Sequence, residues 1–222
     1  MICLVTDRRR LAKFLSLDSD SPQVLDLLVD IAGDAVEAGV DVVQVRESDL
    51  PTRALTNVVR RLVDIAHGKG SMIVVNDRLD VALAAGAHGV HLKEAPIVID
   101  RIRSVAPAGF RVGQSIHSVD RARDSTADYV IVGTVFPTRA KPGVSLIGLD
   151  GLEAAVRSTR TPVLGIGGIR LEHLSNVAAT GAAGIAAVEL FLPNSEGRVP
   201  VRDIVSQARR AFARGRISPD CR

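Results

Sequence analysis

The stretch Val163-Leu164-Gly165-Ile166-Gly167-Gly168 joins a short apolar run to a pair of glycines. A run of this length bounded by glycine is typical of a buried strand that ends in a loop. Because glycine has no side chain, the backbone NH groups of Gly167 and Gly168 can approach an anion closely. The stretch therefore predicts a strand over Val163 to Ile166 that ends in an anion-binding turn.

Similar runs recur along the whole chain. They are Ile2 to Thr6, Asp41 to Val45, Met72 to Val75, Gly89 to Leu92, Arg111 to Ser115, Tyr129 to Val132, Val163 to Ile166, and Gly184 to Val188. Segments with apolar residues at helical spacing separate them, which is the pattern of repeated βα units. Eight such units in 222 residues predict a single-domain α/β fold, a (β/α)8 TIM barrel over residues 1–213, in preference to an open sheet.

The two ends of this domain follow from the same pattern. Val201 to Ala213 is the last predicted helix, and residues 214–222 are predicted to be an unstructured tail. The seventh predicted strand ends at Gly167 and Gly168, where barrels of this class commonly bind phosphate.

Composition excludes several classes of function. The net charge of +3 is concentrated in arginines near the C-terminus, and only 3% of residues are aromatic, so a nucleic-acid partner is not expected. Cys3 and Cys221 lie far apart, which argues against a disulfide framework or a cysteine metal site. With neither a signal sequence nor an apolar run of about 20 residues, a soluble cytoplasmic protein without membrane contact is predicted.

Polar residues or glycines follow each predicted strand. In a barrel these strand ends share one rim, where active sites lie. They are Thr6 and Asp7, Gln44 and Arg46, Asn76 and Asp77, His91 and Lys93, Ser115 and His117, Gly133 and Thr134, Gly167 and Gly168, and Glu189. A long connection over residues 135–145 follows the sixth strand, and its Thr138, Arg139 and Lys141 are expected to close over an anionic substrate.

Several of these segments resemble the motifs of one family in order and spacing. They are Val43-Gln44-Val45-Arg46-Glu47, Val75-Asn76-Asp77-Arg78, Gly89-Val90-His91-Leu92, Val135-Phe136-Pro137-Thr138 and Ile166-Gly167-Gly168-Ile169. Together they are similar to the motifs of thiamine-phosphate synthases and their TenI-type relatives, over nearly the whole chain. The resemblance implies a small-molecule thiazole phosphate as partner, and it favours a homo-oligomer.

Two activities within that family differ at the diphosphate end of the site. The synthase joins a pyrimidine diphosphate to a thiazole phosphate with the help of magnesium, whereas the TenI-type thiazole tautomerase only moves a proton. Here Ser48 stands where the synthase has a lysine, and Pro96 where it has a magnesium-binding carboxylate. These losses favour a thiazole tautomerase, an isomerase that needs no metal or other cofactor.

The tautomerase hypothesis assigns a role to each candidate residue. His117 is the expected catalytic acid and base, because histidine exchanges protons near neutral pH. The substrate-binding residues are Gln44, Arg46, Asn76, Ser115, Thr138 and Lys141, and the phosphate-binding residues are Gly167, Gly168, Val188 and Glu189. Glu189 fits this assignment poorly, since the family usually has serine there and a carboxylate would repel phosphate.

Two alternatives remain open at this point. One is a thiamine-phosphate synthase, thiamine-phosphate diphosphorylase, in which Asp77 and the substrate phosphates would hold Mg²⁺ and Arg46, Lys93 or Arg139 would replace the missing lysine. The other is a noncatalytic thiazole-phosphate-binding or regulatory barrel. The directions of the Glu189 and Lys93 side chains are the features that would help most in choosing among these three hypotheses.

Overall fold

The structure, a computed structural model, describes residues 1–94, 99–138, 143, 145–193 and 199–214. Its strands are β1 Ile2–Val5, β2 Val42–Val45, β3 Met72–Asn76, β4 Gly89–Leu92, β5 Arg111–Ile116, β6 Tyr129–Gly133, β7 Val163–Ile166 and β8 Gly184–Ala187. Its α-helices are α1 Arg8–Leu15, α2 Pro22–Glu37, α3 Thr52–Ala66, α4 Leu79–Ala84, α5 Ile99–Val105, α6 Val119–Asp124, α7 Gly148–Ser158, α8 Leu174–Ala179 and α9 Val201–Arg214. A 3₁₀ turn, Leu171–His173, precedes α8.

The eight strands form one closed parallel sheet. Each strand pairs with the next in the chain, and β8 pairs with β1 through Ile2↔Ile185 and Leu4↔Ala187. The predicted (β/α)8 barrel is therefore confirmed, and the open sheet is excluded. Each strand end lies within one residue of its predicted position. Helix α9 ends at Arg214, one residue beyond the predicted end at Ala213, and the rest of the predicted tail over 214–222 lies outside the described residues.

The β1–β2 connection differs from the expectation of one helix for each strand, because it contains both α1 and α2. Asp7 caps α1, its side chain accepting a hydrogen bond from the Arg10 amide at 3.1 Å. The helix ends at Ser16, which adopts a left-handed conformation with φ of 56°. This short helix places its arginines against the rim formed by the C-terminal ends of the strands.

Alternation along the strands divides the apolar residues into two layers. Cys3 and Val5 belong to a cluster inside the barrel, whereas Ile2 and Leu4 belong to the layer between the barrel and its helices. Inside the barrel, Cys3 is joined by Val42, Val74, Tyr129, Ile131, Leu164 and Ala186. Strands buried on both faces explain the nearly continuous Val and Ile runs of the sequence. None of the helices described here has the length and apolar character needed to cross a bilayer.

A buried arginine ties α1 to the loop after β2. Arg8 is 2% exposed, and its guanidinium contacts Asp49 at 2.6 and 2.7 Å and Asp20 at 2.8 Å. It also contacts Glu47 at 3.3 Å, and the Arg8 amide donates to the same carboxylate. Burial raises the pKa of Glu47, while its hydrogen bonds from Thr6 and Arg8 oppose that rise. The cluster thus fixes the segment that follows Arg46.

Replacing Arg8 with methionine should strongly destabilise the fold. The substitution keeps much of the side-chain volume but leaves Glu47 buried without its cation, a change that typically costs about 3–5 kcal/mol. Urea unfolding measures the loss. Arg9→Met is the matched control, since Arg9 also pairs with Asp49 but is 69% exposed, and an exposed pair contributes about 0–1 kcal/mol. Equal stability of the two variants would contradict a structural role for the buried cluster.

Candidate active site

The alternation that fills the barrel interior also selects which polar side chains point into its mouth. Gln44 and Asn76 each lie two residues beyond an interior valine, Val42 and Val74, and so continue the inward-facing series. Both are almost fully buried, as is His91. Polar groups this deep require partners, and the structure supplies them from neighbouring strand ends.

A hydrogen-bonded row crosses the ends of β2, β3 and β4. Gln44 Nε2 donates to Asn76 Oδ1 at 2.7 Å, and Asn76 Nδ2 donates to Asp77 Oδ2 at 2.8 Å. Asp77 then contacts Lys93 twice: it accepts a hydrogen bond from the backbone amide at 3.0 Å and forms an ion pair with the ammonium at 2.9 Å. The direction of the Lys93 side chain, which the sequence left open, is therefore towards Asp77.

A second buried network connects Tyr129, His91 and Ser115. The Tyr129 hydroxyl lies 3.2 Å from His91 Nδ1, and His91 Nε2 lies 2.9 Å from Ser115 Oγ. Burial lowers the pKa of His91 to about 4, so the imidazole is neutral near pH 7. Gly113 makes room for the pair, because a Cβ at that position would lie 2.2 Å from the Tyr129 ring and 2.6 Å from His91 Nδ1.

The direction of these hydrogen bonds follows from the phenol. The buried Tyr129 hydroxyl needs an acceptor, and among the described residues its partner is His91 Nδ1. A neutral imidazole that accepts at Nδ1 carries its proton on Nε2 and donates it to Ser115 Oγ. The hydroxyl hydrogen of Ser115 then remains available for a ligand in the mouth of the barrel.

Charged side chains form a chain across the ends of β2, β1 and β8. Arg46 contacts Asp7 at 3.1 Å, Asp7 contacts Arg10 at 3.1 Å, and Arg10 contacts Glu189 at 2.6 Å. The Arg46 amide also donates to Thr6 Oγ1 at 2.9 Å, which fixes the backbone beneath its side chain. The carboxylate of Glu189, the other side chain whose direction the sequence left open, is therefore neutralised by Arg10.

The glycine pair after β7 has the conformation that its sequence suggests. Gly167 and Gly168 have φ values of +102° and +63°, and a Cβ on Gly168 would lie 2.4 Å from the Pro137 carbonyl oxygen. The Gly167 carbonyl accepts from the Phe136 amide at 3.0 Å, and the Gly168 carbonyl lies 3.1 Å from His173 Nδ1. The Gly167 and Gly168 amides donate to no acceptor among the described residues.

Of the remaining candidate residues, the structure describes His117, Thr138 and Val188. His117 is exposed, with its amide donating to Glu94 at 3.2 Å and its Nδ1 2.9 Å from the Gly133 carbonyl oxygen. Because a carbonyl only accepts, Nδ1 carries a proton. Thr138 is half-buried and directly follows Pro137, whose carbonyl oxygen lies close to Gly168. Lys141 and Arg139 lie outside the described residues. Val188 packs on the interior cluster next to Glu189.

Sequence reasoning missed two participants in this site, Arg10 and Tyr129, and the ion pairs of a third, Asp7. Arg10 lies within a helix that was not expected as a separate element, so its reach to Glu189 was not foreseen. Tyr129 was counted only as a strand residue, although a lone tyrosine in an inward-facing position calls for a hydrogen-bond partner. Asp7 was noted as a strand end, but its pairing with both Arg10 and Arg46 depends on tertiary contacts.

A magnesium ion does not fit the described residues as they stand. The carboxylate of the candidate ligand Asp77 already accepts hydrogen bonds from the Asn76 side chain and the Lys93 amide, and it forms an ion pair with the Lys93 ammonium. Its neighbour Glu94 accepts from the His117 amide and pairs with Arg121. Within the described part of the chain no group of three or more histidine, cysteine, aspartate or glutamate side chains could hold a metal ion. Pro96 lies outside that part.

A closed parallel barrel with its polar and charged side chains gathered on the rim at the strand C-termini defines the (β/α)8 class of barrel enzymes. Residues 18–191 match the family described as thiamine monophosphate synthase. A thiamine-phosphate synthase from Methanoculleus marisnigri is 36% identical over 84% of this chain and 90% of its own length. Another, from Pyrococcus horikoshii, is 38% identical over 71% of this chain and 77% of its own.

A solved structure agrees with these relatives. Thiamine phosphate pyrophosphorylase from Pyrococcus furiosus superposes with a TM-score of 0.76 at 30% identity, covering 97% of this chain and 96% of the other. The chain belongs to the thiamine monophosphate synthase family. The tautomerase hypothesis is thereby corrected, because the relatives that match most of the chain are named synthases. The proton-transfer role given to His117 depended on the tautomerase reaction and is withdrawn with it.

The buried His91 should make stability depend on pH. In the unfolded chain its pKa is 6.5, whereas in the fold it is about 4, so the unfolded state takes up the proton first as pH falls. The stabilisation is complete above pH 6.5 and is lost towards pH 4, by about 3 kcal/mol.

Urea unfolding at pH 7 and pH 4 measures this loss. The decrease in unfolding free energy should be about 3 kcal/mol smaller in His91→Gln than in the wild type. Comparing decreases removes any constant effect of the substitution. His67→Gln, at an exposed histidine, should behave like the wild type. Equal decreases for wild type and His91→Gln would show that His91 is not held neutral by the fold.

Proposed function

We propose that this protein is a thiamine-phosphate synthase that joins hydroxymethylpyrimidine diphosphate to thiazole phosphate. The observation that carries the proposal is the presence of two separate groups of candidate anion donors on one rim. Arg46 and Lys93 flank the Gln44–Asn76–Asp77 row at the ends of β2 to β4, and the amides of Gly167 and Gly168, which donate to no acceptor among the described residues, follow β7. Two such groups suit two phosphorylated substrates better than one. The cytosolic location and the homo-oligomeric state remain predictions of the sequence.

At the diphosphate end, the site must stabilise the negative charge that develops on the leaving group. Joining the two precursors releases diphosphate, so negative charge grows on its oxygens as the bond to the pyrimidine breaks. Fixed cations and hydrogen-bond donors at that place lower the barrier, because they require no reorganisation during the reaction. Arg46 supplies the guanidinium there, held by Asp7 and by its amide bond to Thr6. Ser115, oriented by His91, supplies a hydroxyl donor.

At the other end, the backbone binds the phosphate of the thiazole. The amides of Gly167 and Gly168 donate, and Val188 and the amide of Glu189 extend the same rim. Arg10 removes the repulsion that the Glu189 carboxylate would otherwise exert on the anion. The 3₁₀ turn and α8 follow this loop, and Phe136 stacks on His173 with ring centroids 4.0 Å apart, which fixes the Gly168 segment.

The direct test is a coupling assay with both precursors. Purified protein should form thiamine phosphate and release diphosphate, while neither precursor alone should be consumed. Arg46→Met should lower kcat/KM for the diphosphate substrate by about 10- to 100-fold, the usual effect of removing a charge-assisted contact. Arg61→Met is the control, because Arg61 pairs with Asp26 on the outer helices. Absence of thiamine phosphate with the wild-type protein would contradict the proposal, and phosphate binding alone would favour a noncatalytic barrel.

A second test addresses the phosphate end. Gly168→Ala should weaken thiazole phosphate binding at least tenfold, since the new methyl group collides with the Pro137 and Phe136 carbonyls and forces the loop to move. Calorimetric titration with thiazole phosphate measures the change. Gly70→Ala is the matched control, because Gly70 also has a positive φ of +76° but has open space around its Cβ position. Unchanged binding in Gly168→Ala would place the phosphate elsewhere.

A further inference from the structure

Asp77 is held in an unusual position at the end of β3. Its φ is +58°, a left-handed conformation that costs a non-glycine residue free energy and persists only where surrounding contacts enforce it. The enforcing contacts are its amide, which donates to the His91 carbonyl at 2.9 Å, and its carboxylate, which accepts from Asn76. The Lys93 amide donates to the other carboxylate oxygen. Asp77 is therefore a rigid anchor.

Lys93 contacts Asp77 through both its backbone amide and its side-chain ammonium. Its amide bond to Asp77 Oδ1 fixes the start of the loop after β4, and its ammonium lies 2.9 Å from Oδ2. The side chain is nevertheless 72% exposed, so the ammonium is fixed in place and open to a ligand at the same time. An ammonium has three donors, and a single carboxylate contact leaves others for an incoming anion.

Lys93 and Arg46 lie at the two ends of the same hydrogen-bonded row. The two cations belong to opposite ends of the row Gln44–Asn76–Asp77, because Arg46 directly follows β2, which carries Gln44, and Lys93 directly follows β4 and pairs with Asp77. Each is paired with a single aspartate, Asp7 for Arg46 and Asp77 for Lys93. A ligand lying along the row would meet a cation at each end and neutral amide groups between them.

The same carboxylate cannot serve a metal ion without first losing its lysine. Magnesium in phosphate sites takes carboxylate oxygens together with substrate oxygens. Here the oxygen that faces the rim already contacts an ammonium, and a second cation beside it would be repelled by Lys93. The geometry thus disagrees with the metal that family resemblance implies.

We propose that the Lys93 ammonium, anchored by Asp77, is a diphosphate-binding cation of this protein, and that it makes diphosphate binding independent of divalent metal. The proposal rests on the function proposed above and specifies one end of the same site. Lys93 acts by direct contact with the diphosphate oxygens, whereas Asp77 is a positioning residue that holds the ammonium. The row of Gln44 and Asn76 keeps Asp77 in place.

Calorimetric titration of the full-length protein with inorganic diphosphate in excess EDTA tests the proposal. The wild type should bind diphosphate under these conditions. Lys93→Met should weaken binding by at least about tenfold, and Lys93→Arg, which keeps the charge, should bind within about threefold of the wild type. Lys69→Met is the control, because Lys69 pairs with Glu37 before β3, on the opposite rim. Urea unfolding of each variant establishes that it is folded.

The outcomes separate this proposal from the function on which it rests. Wild-type binding that requires magnesium, or equal affinity in Lys93→Met and Lys69→Met, would overturn the role of Lys93. Thiamine phosphate formation in the coupling assay would leave the proposed function standing in that case. Conversely, diphosphate binding that depends on Lys93 without any coupling would support the cation site and refute the synthase activity.

Discussion

Closure of the sheet between β8 and β1 is the constraint on which the rest of this molecule depends. The Ile185 amide donates to the Met1 carbonyl at 3.0 Å, and a Cβ on Gly184 would lie 1.6 Å from that same oxygen, so only glycine admits the contact. Because all eight strands are parallel, closure brings their C-terminal ends to one rim. Inward alternation then determines which side chains reach the mouth, and it selects Gln44, Asn76 and the buried His91.

Three cations on the rim are each paired with a carboxylate. Arg46, Arg10 and Lys93 are each paired with a carboxylate, and these pairs are at least partly open to water, so each contributes little to stability. Their significance is positional, because a paired cation is held where a substrate oxygen can meet it. The buried Arg8 cluster is different in kind, since Arg8 and Glu47 are shielded from water and hold the backbone after β2. Arg8 and Arg10, only two residues apart, thus have separate partners, one in this buried cluster and the other at Glu189 on the rim.

The fold was predictable because the signals that define it are local and repeated. Runs of Val and Ile bounded by polar residues or glycine mark each strand to within one residue, and the glycines after β7 have the positive φ values that their pairing suggests. The extra helix α1 was missed because its cap, Asp7, was assigned to the strand end alone.

Side-chain partners were not predictable, and this explains the error in function. Ser48 and Pro96 were interpreted as losses at the diphosphate end, which favoured a proton-transfer reaction. The compensating feature, an ammonium held against Asp77, arises from residues 16 positions apart that only the β3–β4 pairing brings together. The direction of the Glu189 side chain, which the sequence left open, depends in the same way on a distant residue, since its partner Arg10 is 179 positions away in the chain. Relatives at 36–38% identity that are named thiamine-phosphate synthases overturned the tautomerase hypothesis.

The Tyr129–His91 contact affects the intrinsic fluorescence of the protein. The chain contains one tyrosine and no tryptophan, so the ultraviolet emission of the folded protein comes almost entirely from Tyr129. That ring is buried inside the barrel and is two hydrogen bonds from the Ser115 hydroxyl, through a single imidazole. Any ligand that engages Ser115 perturbs the polarity of the hydrogen bond on the phenol. Tyr129 is therefore a native fluorophore that hydrogen bonds through His91 connect to Ser115 at the mouth of the barrel.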